Sequence, residues 1–334
     1  MRVTLAGLVA GLCLAACAGG HIDTGPTSRA GTDRFEVLRV DPAAGAARGW
    51  VPRLAGQNNS LDVAVGYGSV WVTTADGVVA VSPTTPGHTS IVRTTGAPYD
   101  LALAHSSIWA VGAGYTGWKV DPRAGRVTSE FQLQDSREHS VAADGRFVWV
   151  ANFRTGVVQR IDPRTATPSG RVVVPGGIAT DVATGFGSVW VIDGLEDAVD
   201  RIDPATLRIT KMVPLPGTGT QITTGAGAVW VAEDRSGTVV RIDPRSGAVR
   251  SRRVGKDAPG LAVGLGAVWV THRDGALTRL PAASGSGRII PVASPRGPLA
   301  GVAVDRPGHS LWVTVCPPRL ACGLVGQRAG GHAQ

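Results

Sequence analysis

An all-β ring of seven four-stranded sheets is predicted by three observations. Forty-six Gly and 22 Pro stand against three Tyr, five Phe and two Met, a balance that favours many tight turns between short Val-rich strands. A Trp between apolar neighbours recurs at Trp71, Trp109, Trp149, Trp190, Trp230, Trp269 and Trp312. The spacings of 38, 40, 41, 40, 39 and 43 residues are the length of one four-stranded unit. A turn with Asp or Ser before Pro recurs at Asp41-Pro42, Ser82-Pro83, Asp121-Pro122, Asp162-Pro163, Asp203-Pro204 and Asp243-Pro244, and in degenerate form at Leu280-Pro281.

Each unit divides into the same elements. Asp181 to Gly185 reads as an inner strand, Gly185 to Ser188 as a glycine-permitted hairpin turn, Val189 to Ile192 as a second strand, and Val199 to Ile202 as a third. At Asp203-Pro204 the Asp side chain can accept backbone hydrogen bonds at the first turn position while Pro presets φ at the next. Arg208 to Val213 then forms an outer strand. The first turn, at Asp41, precedes any repeat Trp, and no such turn follows Trp312, so the repeat is circularly permuted. Strands near Phe35 to Val40 and Arg48 to Leu54 are therefore expected to complete a sheet begun by Gly301 to Val304 and Leu311 to Val315. That closure removes open sheet edges and defines a seven-bladed β-propeller over residues 35–315, with N-terminal outer strands paired to C-terminal inner strands. A Trp repeated once per blade between β-branched residues is expected to pack between blades. The repeated Asp is expected to serve its turn. The Gly-x-Gly pairs open no helix and so are not phosphate loops.

The chain ends carry addresses rather than fold. Arg2 followed by an apolar run to Ala16 and then Leu14-Ala15-Ala16-Cys17 is the pattern of a lipoprotein signal peptide over residues 1–16, with Cys17 the lipidated N-terminus. An ordinary signal peptide cut at Ala18 is the alternative. Residues 17–34 read as a flexible tether, which places the propeller outside the cytoplasm and anchored to the cell membrane. In that oxidising setting Cys316 and Cys322 are expected to pair in a C-terminal tail, residues 316–334. The formal charge is +8, spread over the repeats without aromatic interleaving, so nucleic acid is not an expected partner, and a monomer is expected.

The segments Val148–Asn152 (VWVAN) with Arg160-Ile161-Asp162-Pro163, and Val229–Glu233 (VWVAE) with Arg241-Ile242-Asp243-Pro244, resemble the repeats of YVTN-type and virginiamycin B lyase-like propellers. The resemblance covers about Phe35 to Val315 and implies the propeller fold. It also implies, for members resembling the lyase, a Glu after the second strand, a catalytic His two residues later and a nearby Mg²⁺ ion. Glu233 matches that Glu, whereas the residue two places on is Arg235.

In such a ring the loops after the second strands share one face with the loops before the inner strands. The third residue after each Trp samples the first kind: Thr74, Gly112, Asn152, Asp193, Glu233, His272 and Val315. Asn152, Asp193, Glu233 and His272, with Arg154 nearby, are the candidate ligand-binding residues, and Asp193, Glu233 and His272 the candidate ligands of a divalent metal. Asp62, Asp100, His139, Asp181 and Gln221 belong to the second kind of loop. The expected function is a binding or scaffold module for a small molecule, cell-envelope polymer or protein. A metal-assisted lyase or hydrolase built on Glu233, Asp193 and His272 is the alternative, and no residue is assigned as catalytic.

Overall fold

The computed structural model describes residues 35–54, 62–112, 114–134, 139–233, 235–255, 257–282, 288–291 and 297–316. Cys17, Cys322, the signal segment, the tether and most of the tail lie outside the described residues. Among those described, 28 strands form seven antiparallel four-stranded sheets, and the fold is the expected seven-bladed propeller. Blades are numbered here by their Trp, from blade 1 with Trp71 to blade 7 with Trp312. Inner strands touch the inner strands of both neighbouring blades, round to Leu299–Asp305 against Val63–Gly66.

Blade 7 is the composite sheet. Its order is Ala47–Leu54, Phe35–Val40, Ser310–Val315, Leu299–Asp305, and the seam is a regular antiparallel ladder in which Val37 lies opposite Thr314 and Arg39 opposite Trp312. The two chain regions thus supply each other's missing hydrogen-bond partners, leaving no open edge at the seam.

Packing follows the period-two alternation of strands. Each Trp faces the next blade: Trp190 packs with Ile222, Val229 and Val231 of blade 5, and Trp312 with Val63, Val70 and Val72 of blade 1. Truncating such a buried indole to Ala costs about 3–5 kcal/mol. In six of the seven the indole N–H is satisfied locally, for example by Trp190 Nε1 donating to the Gly185 carbonyl at 3.1 Å, whereas Trp312 Nε1 is buried with no hydrogen-bond partner among the described residues. The hairpin at Phe186-Gly187 needs its glycine, since both residues take positive φ, 54° and 70°, the geometry of a type I′ turn.

The Asp-Pro turns do what their sequence implies. Asp203 Oδ1 accepts from the Ala205 and Thr206 amides, both at 2.8 Å, and the equivalent bonds form at Asp41, Asp121 and Asp243. These amide donors hold the four carboxyls below the usual carboxylate range. The preceding basic residue has a second role. In Arg201 the guanidinium lies 5.4 Å from the Trp190 ring centroid and donates to the Pro244 carbonyl of the next blade at 3.2 Å. Arg39, Lys119 and Arg160 reach the Pro83, Pro163 and Pro204 carbonyls in the same way. Four of the basic side chains thus join neighbouring blades.

Candidate functional site

Asn152, Asp193 and Glu233 end the second strands of blades 3 to 5, His272 directly follows that of blade 6, and all four side chains are buried. Each is engaged close to home. Asn152 Oδ1 accepts from the Arg154 and Thr155 amides at 3.0 and 2.9 Å and from the Thr155 hydroxyl, closing its own hairpin, while Arg154 is exposed. Asp193 Oδ2 accepts from the Gly176 amide at 2.6 Å, across the loop that leads into its blade. A side chain at Gly176 is excluded there, since a Cβ would lie 2.1 Å from Asp193 Oδ1. Glu233 Oε2 accepts from the Ser236 hydroxyl at 3.0 Å and packs near Gly217, and His272 Nε2 bonds the Thr278 hydroxyl at 2.8 Å and packs near Gly255.

Asp193, Glu233 and His272 are not brought together as metal ligands. Among the described residues no group of three His, Cys, Asp or Glu side chains is placed to hold a metal ion. The reason is topological. Side chains at this position turn into the gap beside their own entry loop, so neighbours in the series stay one blade apart.

The convergence lies one layer further in. The strand registers put Asp62, Asp100, Ser140, Asp181, Gln221, Gly260 and Gly301 at one equivalent position, two residues before the inner-strand partner of each Trp. Five consecutive blades thus present polar side chains to the central channel, and the last two present glycine. Gly260 is confined, since a Cβ there would lie 2.2 Å from the Ala300 carbonyl oxygen. Register, rather than loop order, selects Ser140 in blade 3, and the side chain of its neighbour His139 lies outside the described residues.

The arc is continuous. Asp62 Oδ2 accepts from the Leu101 amide at 3.1 Å, Asp100 Oδ2 from Val141 at 2.7 Å, and Asp181 Oδ2 from Ile222 at 2.8 Å, each one blade on. The Ser140 hydroxyl donates to Asp181 Oδ1. The Asp62 and Asp100 carboxyls lie beside each other, where burial and mutual repulsion favour their sharing a proton. Burial, then the Asp100 charge, pushes Asp62 well above the ordinary range; burial raises Asp100; and burial followed by the Asp100 charge lifts Asp181 to about 7. Near neutral pH the arc is therefore a proton-sharing acid cluster with negative charge still to place.

These residues line a channel cavity of about 390 Å³ together with Tyr99, Thr180 and Thr220 at the acidic end and Arg306 at the other. The Gln221 side-chain oxygen is buried there without a hydrogen-bond partner among the described residues. Arginine at one end and carboxyls at the other give the channel a polarity along its axis. The arrangement can hold a cation or hydroxyls by hydrogen bonds and can take up or release protons as it does so. The sequence reading missed it because Asp62, Asp100, Asp181 and Gln221 were grouped with a loop. Counting nine residues back from each of the first six repeat Trp, and eleven back from Trp312, finds the whole series.

No protein-family model matches the chain, and no curated protein matches it.

Proposed function

We propose that this protein is an extracytoplasmic, membrane-anchored binding propeller that takes a small ammonium- and hydroxyl-bearing ligand at the acidic end of its channel. A β-propeller is in general a binding or scaffold module, and the observation that carries the narrower reading is the five-blade polar arc from Asp62 to Gln221 around a 390 Å³ cavity. Rigid strands hold these groups, so little ordering is required on binding. An ammonium group would replace the protons that the carboxyls now share. The VWVAN and VWVAE repeats with their Arg-Ile-Asp-Pro partners support placing the chain among the YVTN-type and virginiamycin B lyase-like repeat propellers.

Calorimetry with glucosamine and with N-acetylglucosamine, which differ in the charge of one nitrogen, tests the reading. Binding of the amine is expected to strengthen from pH 5 to about pH 7, as Asp181 begins to lose its proton near 7 while the sugar's ammonium is still charged, and to fall again above about pH 8 as the ammonium loses its own proton. Asp100→Asn and Asp181→Asn are each expected to weaken it about tenfold, the effect of roughly 1.4 kcal/mol from one charge-assisted hydrogen bond. Equal binding of the two sugars, or an affinity independent of both carboxyls, would remove the site.

The anchor is tested separately. Cys17→Ser is expected to move the protein from the membrane fraction to the soluble fraction at high ionic strength, where attraction of a basic surface to lipid is screened. Retention of the variant at its parental level would exclude lipidation at Cys17. The buried Cys316 stands at the end of the last strand, and its proposed pairing with Cys322 would tie the tail to blade 7.

A further inference from the structure

A second site lies away from the channel, between blades 5 and 6, where the blade-joining contact is interrupted. In blades 2, 3, 4 and 7 a strand-three cation reaches the turn of the following blade, as Arg201 reaches Pro244. In blade 6 the corresponding residues are Arg279-Leu280-Pro281-Ala282, so Pro occupies the Asp position and Ala the Pro position. The Asp carboxylate that organises the other turns is missing. Arg241 lies 5.9 Å from the Trp230 ring centroid, and among the described residues its guanidinium makes no hydrogen bond or ion pair.

Two more arginines share its face. Arg250 stands opposite Arg241 in the strand register, and Arg252 stands opposite Val239, two residues along the same side. Both are exposed, and among the described residues neither has an ion-pair partner. In blade 4 the position opposite the cation is Lys211, whose ammonium is taken up by the Ser246 carbonyl. The three guanidiniums border a cavity of about 410 Å³ whose far wall is Leu280, Pro281 and Ala282. Asp243 also borders it, but its carboxylate is occupied by the amides of Arg245 and Ser246 and the Ser246 hydroxyl. Three cations against one satisfied carboxylate leave the cavity two charges positive.

We infer that this cavity is an anion site for a phosphate-bearing ligand, held by Arg241, Arg250 and Arg252. Guanidinium forks match tetrahedral oxyanions by paired hydrogen bonds, and Arg241 is already oriented by its indole. The cavity volume exceeds that of a single phosphate, so it also admits what the phosphate is attached to. This inference is independent of the channel reading, whose carboxyls lie on other residues.

Calorimetry at low ionic strength with inorganic phosphate, and in parallel with a short poly(glycerol phosphate), tests it on the full chain. Saturable binding of at least one is expected, weakened at least tenfold in the Arg250→Gln/Arg252→Gln double variant. Both substitutions are at exposed positions and are expected to leave the melting temperature unchanged. Phosphate alone binding assigns a free phosphorylated molecule, and polymer binding more tightly per phosphate assigns a polyanionic chain. No saturable binding of either probe, undiminished binding in the double variant, or equal displacement by chloride at matched ionic strength would overturn the site.

Discussion

Asp200→Val is expected to stabilise the protein by roughly 3 kcal/mol at pH 8, the scale of an unpaired buried charge. Asp200 is fully buried in the third strand of blade 4, opposite Val191, and neither carboxylate oxygen has a hydrogen-bond partner among the described residues. The same position holds Val79 in blade 1, Val240 in blade 5 and Leu38 in blade 7, so a branched apolar side chain fits the site. Where other blades place a polar group there, it is satisfied: Gln159 donates to the Gln132 carbonyl at 2.9 Å, and Thr278 pairs with His272. Burial first, then the charges of Asp193 and Glu196, raise Asp200 from 3.8 to about 7.

The sign follows from proton uptake. A raised pKa means that the folded state binds the proton more tightly than the unfolded chain, so this group's contribution is most favourable below 3.8 and is lost as pH rises through about 7. The advantage of Asp200→Val over the parent should therefore grow between pH 4 and pH 7 and level off above. Asp62, Asp100 and Asp181 titrate alike in both proteins, so the difference isolates Asp200. Urea unfolding at pH 5 and pH 8 measures it. An equal or lower stability of the variant at pH 8, or a gap of the same size at both pH values, would contradict the assignment.

Deleting residues 35–54 is expected to abolish cooperative unfolding altogether. The deletion removes the two outer strands of blade 7 and leaves Ser310–Val315 with an unpaired edge. It also strips Trp312 of Trp50, which meets it edge-on at a centroid distance of 5.4 Å, and of Arg39. A ring held by nearest-neighbour contacts loses two junctions at once when one blade opens. Differential scanning calorimetry should show the sharp transition replaced by a broad or absent one. A truncated protein melting as sharply and at the same temperature as the parent would show that the seam contributes nothing.

Sequence periodicity was sufficient for the architecture because every blade repeats the same physical solution. Trp, hairpin and Asp-Pro turn each recur where a side chain must fill a junction or cap a turn, and the permuted order located the composite blade. The site was less legible for the same reason. Asn152, Asp193, Glu233 and His272 vary from blade to blade and so stand out against the repeat, yet their variation reflects different ways of packing one entry loop. The channel arc varies too, but its members project from strands, and only register decides which of two adjacent residues faces the channel. Ser140 rather than His139 is the case in point. The missing turn in blade 6 was visible as Leu280-Pro281, whereas its consequence for Arg241 depends on where the neighbouring turn's carbonyl stands.

The central claim is that ligand enters at the acidic end of the channel, and a crystal soaked with glucosamine at pH 7 addresses it most directly. The account predicts the ammonium nitrogen within hydrogen-bond reach, roughly 2.7–3.2 Å, of the Asp100 or Asp181 carboxylate, with the sugar filling the cavity beside Gln221. Glucosamine seated beside Asp193, Glu233 and His272 instead, or a channel left empty at saturating concentration, would contradict it.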